Sequence, residues 1–179
     1  YAAYLAPLRQ ALNAFRAEAD SGGPGETARW LWLSCPVAPE PIAPEVWDDE
    51  AWHELADSAV RLARGAGALA SLPVALSYRA GVHLQAGEFA EAAALIEEAH
   101  ALTAATGNAP SDYTSLLLTA WRDDEQRALR VIGQAVRTAT DRGEGRALGL
   151  AHHATALLYN GLSRHDAALE SARRACAYQ

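Results

Sequence analysis

Lysine is missing altogether, so arginine alone supplies the 15 basic residues, against 22 acidic ones, for a net charge of −7. Two activities are excluded with it. A Walker A loop needs a lysine to reach the nucleotide phosphates, and nucleic-acid binding needs clustered positive charge that displaces counterions. Methionine is missing as well, which a complete gene product cannot do, so a fragment of a larger protein is expected. Only two cysteines, Cys35 and Cys176, are present, far apart and without a CxxC neighbour. A reduced, cytoplasmic compartment follows, and neither cysteine needs a role. No apolar run approaches the roughly 18 residues of a membrane span, and no signal peptide is expected. Aromatics are only 7% of a chain that is half hydrophobic, so its core must be built at close range from alanine, the strongest helix former. The usage of alanine over lysine resembles that of a GC-rich bacterial genome.

What is there is a helical segment in three copies, each ending on glycine. Residues 87–107 read GEFAEAAALIEEAHALTAATG, residues 123–143 DDEQRALRVIGQAVRTATDRG, and residues 48–67 DDEAWHELADSAVRLARGAG. Gly67, Gly107 and Gly143 fall about 40 and then about 36 residues apart, the period of two-helix repeats. Self-similarity at that period predicts stacked helix pairs, whose work is recognition rather than chemistry.

Along the chain, Tyr4, Leu5, Leu8, Leu12 and Phe15 recur at helical spacing up to SGGPG at 21–25. Prolines 36, 39, 41 and 44 forbid a regular helix and predict an extended connector. Residues 1–47 are thus expected to be N-terminal helices and connector, and 48–179 a continuous run of repeats. Asp48, Asp49 and Glu50 open a helix ending near Gly65–Gly67, their charge suiting its first turn. Further pairs are predicted over 71–86 with 87–107, over 110–121 with 123–143, and over 145–162 with 164–178. Capping-box spacings mark two starts, Asp123 with Gln126 and Ser163 with Asp166, and glycine marks the ends.

Within the second helix of each pair small residues recur seven apart: Ala92 and Ala99, Ala128 and Ala135, Ala168 and Ala175. Ile96 and Ile132 sit between them, and Ala172 takes that place in the last copy. In the first helices Ala80 with His83 and Ala156 with Tyr159 hold the small and aromatic positions. This resembles the tetratricopeptide pattern, in which small side chains let paired helices approach while one large residue fills the groove. The predicted fold is all-α, a right-handed α-solenoid of about four antiparallel helix pairs.

The runs ARWLWLSCPVAPEPIAPEVWDDEAWHELA, YRAGVHLQAGEFAEAAALIEEA, ATGNAP and RGEGRALGLAHHATALLYNGLSRHDAALESARRAC together resemble the helical-repeat region of large LuxR-type transcriptional regulators of actinobacteria. The resemblance covers about residues 28–179. It implies an N-terminal ATPase module and a C-terminal helix-turn-helix outside this chain, with the repeat array sensing an inducer or partner and controlling self-association. A non-enzymatic segment without cofactor or metal is expected, binding a protein or small-molecule effector and forming a homo-oligomer. The alternatives are a stand-alone adaptor that docks a peptide, and a helical metalloenzyme built on His and Glu.

In a tetratricopeptide-like array the first helix of each pair lines the concave face. Counting back from the turns places Ser77, Leu84 and Gln85, then Tyr113, Leu117 and Trp121, then His153, Leu157 and Asn160 there. Aromatics with a few polar groups suit a recognition groove; otherwise these residues serve packing. The metal reading is weak: HELAD from His53 carries Asp57 where a zincin has its second histidine, and His152 and His153 point roughly 100° apart on one helix. His83 fills an aromatic repeat position, Glu97 and Glu98 belong to a solvated face, and Asp48, Asp49, Asp123 and Asp124 are caps. Trp30, Trp32, Trp47 and Trp52 crowd the connector and are expected to seal it with large buried area or, in the alternative, to form an interface for another domain or subunit.

Overall fold

In a computed structural model of the chain, which describes residues 2–20, 42–107, 113–122 and 124–178, the alanine-rich runs form helices and no strand occurs among the described residues. In chain order they are α1 (Ala2–Asp20), α2 (Ile42–Glu45), α3 (Asp49–Gly65), α4 (Leu72–Ala86), α5 (Phe89–Thr106), α6 (Tyr113–Arg122), α7 (Glu125–Arg142), α8 (Gly145–Gly161) and α9 (His165–Cys176). The all-α expectation holds. Trp30, Trp32, Cys35, Asp123, the SGGPG turn and most of the proline-rich connector lie outside the described residues. No described helix is long and apolar enough to cross a membrane.

One joint is used again and again. Residues 47, 67, 87, 143 and 163 all take the left-handed conformation, with φ of 57°, 62°, 78°, 67° and 58°. At each, its own N–H reaches the carbonyl three residues back and the next N–H reaches five back, as in Gly87 to Leu84 (3.1 Å) and Glu88 to His83 (2.9 Å). This is the Schellman closure of a helix C-terminus. At Asp48, Glu88, Glu144 and Arg164 the residue that completes the closure is also the N-cap of the next helix. The chain turns with no residue to spare, so the helices it joins pack back on each other.

Glycine marks only some of these joints, because the other two are occupied by Trp47 and Ser163. The Ser163 capping box is accordingly corrected: Ser163 closes α8, and Arg164, the N-cap of α9, makes no side-chain cap bond. On α7 the observed cap is Asp124, whose carboxylate accepts from Arg127 N–H at 2.9 Å. Asp48 caps α3 as expected, accepting from Ala51 N–H at 3.0 Å. A left-handed residue with a Cβ is strained where glycine is not. Ser163→Gly is therefore expected to stabilise the protein by about 0.5–1 kcal/mol, less than the full strain because glycine gains unfolded-state freedom; a raised urea midpoint would show it.

The helices divide into two compact units, Tyr1–Ser111 and Asp112–Gln179, the division falling inside the stretch expected to run on from 48. In the first unit α1 and α2 pack on α3, α3 on α4, and α4 on α5. Leu12, Val46, Leu55, Val60, Leu72 and Leu76 form its core with Ala43, Ala51, Ala59, Ala63, Ala75 and Ala99, and Trp52 packs against the edge. In the second unit α8 is central, packed against α6, α7 and α9. The seam register appears as buried positions: Ala92, Ile96, Ala99 and Thr103 on α5, and Ala128, Ile132 and Ala139 on α7. Ala135 is only half-buried, and on α9 the buried pair is Ala168 with Ser171. Ser77, Thr103 and Ser171 are buried without cost in unmade bonds, each hydroxyl donating to the carbonyl four residues back.

Candidate functional site

The nine residues counted onto the first helices separate by burial. Ser77 and Leu84 on α4 and Leu117 on α6 are buried, so they serve packing, the role left open for them. Gln85 is exposed on α4. In the second unit Trp121 is 54% exposed, His153 and Asn160 are exposed, and Tyr113 and Leu157 are half-buried.

Two of these meet. Tyr113, in the first turn of α6, places its hydroxyl 3.1 Å from His153 Nδ1 on α8. The rings lie 6.3 Å apart and inclined by 29°. Although His153 is exposed as a whole, partial desolvation of its ring lowers its pKa below the ordinary histidine value, which favours the neutral ring, and Nδ1 and the tyrosine hydroxyl share a hydrogen bond in which the tautomer decides the donor. The same 40-residue step relates Leu117 to Leu157 in sequence. The Tyr113–His153 contact joins α6 to α8; the exposed Trp121 stands eight residues on from Tyr113 along α6, and the exposed Asn160 seven on from His153 along α8.

His152 goes the other way, onto Tyr178, with ring centroids 6.2 Å apart and planes within 16°. Burial and then the nearby Arg174 charge lower its pKa as well. The two adjacent histidines therefore serve different surfaces. His53 meets His83 edge-on at 6.1 Å, and His83 Nδ1 lies 2.6 Å from Glu88. Asp57 lies 2.7 Å from Arg79 Nε, close enough for charge pairing but outside hydrogen-bond alignment. Among the described residues no three His, Cys, Asp or Glu side chains gather as a metal site would require.

Sequence reasoning missed the charged ties between helices. Arg16 on α1 bonds Glu54 on α3 at 2.6 Å, and Arg64 on α3 grips both oxygens of Glu98 on α5 at 2.6 and 2.7 Å. Glu98 is thus half-buried and paired, not merely solvated. Arg164 likewise holds both oxygens of Glu125, one of them at 2.9 Å. With Tyr113 and His153, these links span 38, 34, 39 and 40 residues. Opposite charges some 34–39 residues apart were a readable signal. Trp47 is a second miss: it is 86% exposed in a left-handed backbone and seals nothing, whereas Trp52 is half-buried.

A shallow hollow of the second unit is lined by Gln126, Leu129, Arg130, Gln134 and Arg137, all on α7. None of the expected contact residues borders it. Comparison of the chain with protein-family models, with curated proteins and with solved structures finds no match.

Proposed function

We propose that this chain is a recognition segment: a tetratricopeptide-like stack of helix pairs that binds a peptide or small-molecule effector on the face shared by α6 and α8, and that associates with itself. Tyr113, Trp121, His153, Leu157 and Asn160, all of the second unit, make the contacts. The observation that carries this is the Tyr113–His153 pair, two counted face residues 40 apart that bond at 3.1 Å. Side-chain links at one repeat's separation, small-residue seams and Schellman joints support the repeat reading. Uncharged aromatics beside an amide suit an apolar ligand with a few polar groups.

Panning a peptide library against the chain, followed by titration of the selected peptide, tests the face. Tyr113→Ala, Trp121→Ala and Asn160→Ala should each weaken binding about tenfold or more, as truncation of anchor residues does. Arg130→Ala, on α7, should leave it unchanged. Binding that survives all three face substitutions would remove this reading.

The wider setting proposed is a LuxR-type regulator, on the sequence resemblance alone. Its test is the gene on either side of the chain: an upstream Walker A motif and a downstream helix-turn-helix are expected. Their absence would leave the stand-alone adaptor.

A further inference from the structure

Acidic residues are kept off the first helix of every pair. α4, α6 and α8, of 15, 10 and 17 residues, contain neither aspartate nor glutamate, although the chain of 179 residues has 22 acidic ones. The helices α3, α5, α7 and α9 each carry at least two. Burial does not explain the exclusion. Arg146, His153 and Asn160 on α8 are exposed, so a carboxylate at any of them would be solvated, yet a cation, an imidazole and an amide stand there.

These three form one stripe along α8. Their spacing of seven residues turns each only about 20° from the last and sets them about 10 Å apart along the axis. The half-buried Leu150 and Leu157 flank the stripe. Arg146 has no hydrogen-bond or ion-pair partner among the described residues, and the acid nearest to it in sequence, Glu144, stands 3.8 Å from Arg142. Arg164 and Arg174, by contrast, already hold Glu125 and Glu170. In a chain of net charge −7 the stripe therefore offers an anion one uncommitted guanidinium and no carboxylate of its own to repel it.

We infer that the ligand of this face is an acidic peptide, with an apolar residue over the Tyr113–His153 pair and a carboxylate three residues along that meets Arg146. The inference rests on the α6–α8 reading proposed above, and it adds the charge of the ligand and the residue that selects it. An extended peptide advances about 3.3 Å per residue, so three residues cover the roughly 10 Å between His153 and Arg146. A guanidinium suits the task because its planar fork donates two parallel hydrogen bonds to one carboxylate. Arg146 is exposed, so the pair is expected to contribute about fivefold in affinity, less than a desolvated pair would.

Peptides selected from a random library by panning against the chain test it. The expected selection carries Asp or Glu three residues from leucine or an aromatic. The tightest such peptide is then titrated, in its acid form and with that acid replaced by the corresponding amide, against the parent chain and against Arg146→Gln. Helix content of Arg146→Gln should equal the parent's, since the side chain is exposed and bonds to nothing among the described residues. The amide form should bind the parent about fivefold more weakly than the acid form and bind Arg146→Gln as well as the acid form does, the signature of a direct coupling. Raising salt to about 0.5 M should shrink the difference on the parent chain. Selected peptides without an acid, an equal loss on both chains, or a library that yields no binder would overturn the inference. If Tyr113→Ala still weakens binding in the first two cases, the α6–α8 reading stands without it; binding indifferent to Tyr113→Ala, Trp121→Ala and Asn160→Ala would overturn both.

Discussion

Leu76→Ala is expected to destabilise the first unit by about 2–5 kcal/mol. Leu76 on α4 is fully buried and is among the largest side chains with no exposure, beside Leu55, Val60 and Leu12. Its cluster draws on α1, α2, α3, α4 and α5 together, and most of its other members are alanines. Truncation removes both the transfer energy of the lost carbons and the contacts around the cavity they leave. Alanine neighbours have no side-chain freedom with which to fill such a gap, so little of the loss is recovered. Domains of this size hold only about 5–15 kcal/mol in all. Urea unfolding should show the midpoint falling with little change in slope, and a loss below about 1 kcal/mol would place Leu76 outside the core.

The opposite change tests the seams. Ala92→Leu and Ala128→Leu should each cost about 1–3 kcal/mol, because both alanines are completely buried on helices whose backbones they hold close to a neighbour. Ala135→Leu provides the contrast within one helix. Ala135 was read from the repeat as a seam residue, but it is half-buried, while Ala139 one turn later is buried. Leucine at 135 can reach solvent and should cost clearly less than leucine at 128. If Ala92→Leu and Ala128→Leu both unfolded at the parent's midpoint, the small-residue seam would lose its meaning and the helix-pair reading with it.

Helix positions were legible because they are set within a few residues: alanine favours the helix, and aspartate and glycine satisfy its ends. Asp48 and the left-handed glycines 67, 87, 107 and 143 behave as their chemistry requires. Trp47 and Ser163 were not legible as joints, since only the hydrogen bonds of the folded helix end force a non-glycine residue into that conformation. Of the residues expected on the concave face, Tyr113 and His153 lie on α6 and α8 and meet across 40 residues of chain. Ser77, Leu84 and Leu117 shared the same count and yet are buried.

The sequence by itself determined that the described stretches are helical, where most of their helices begin and end, and which small residues recur along them. These are local preferences, each decided by a residue and its neighbours within a turn. Only the tertiary structure decided which flank of each helix meets another and which meets water. That choice depends on groups some 34–40 residues away, as Arg64 with Glu98 and Tyr113 with His153 show.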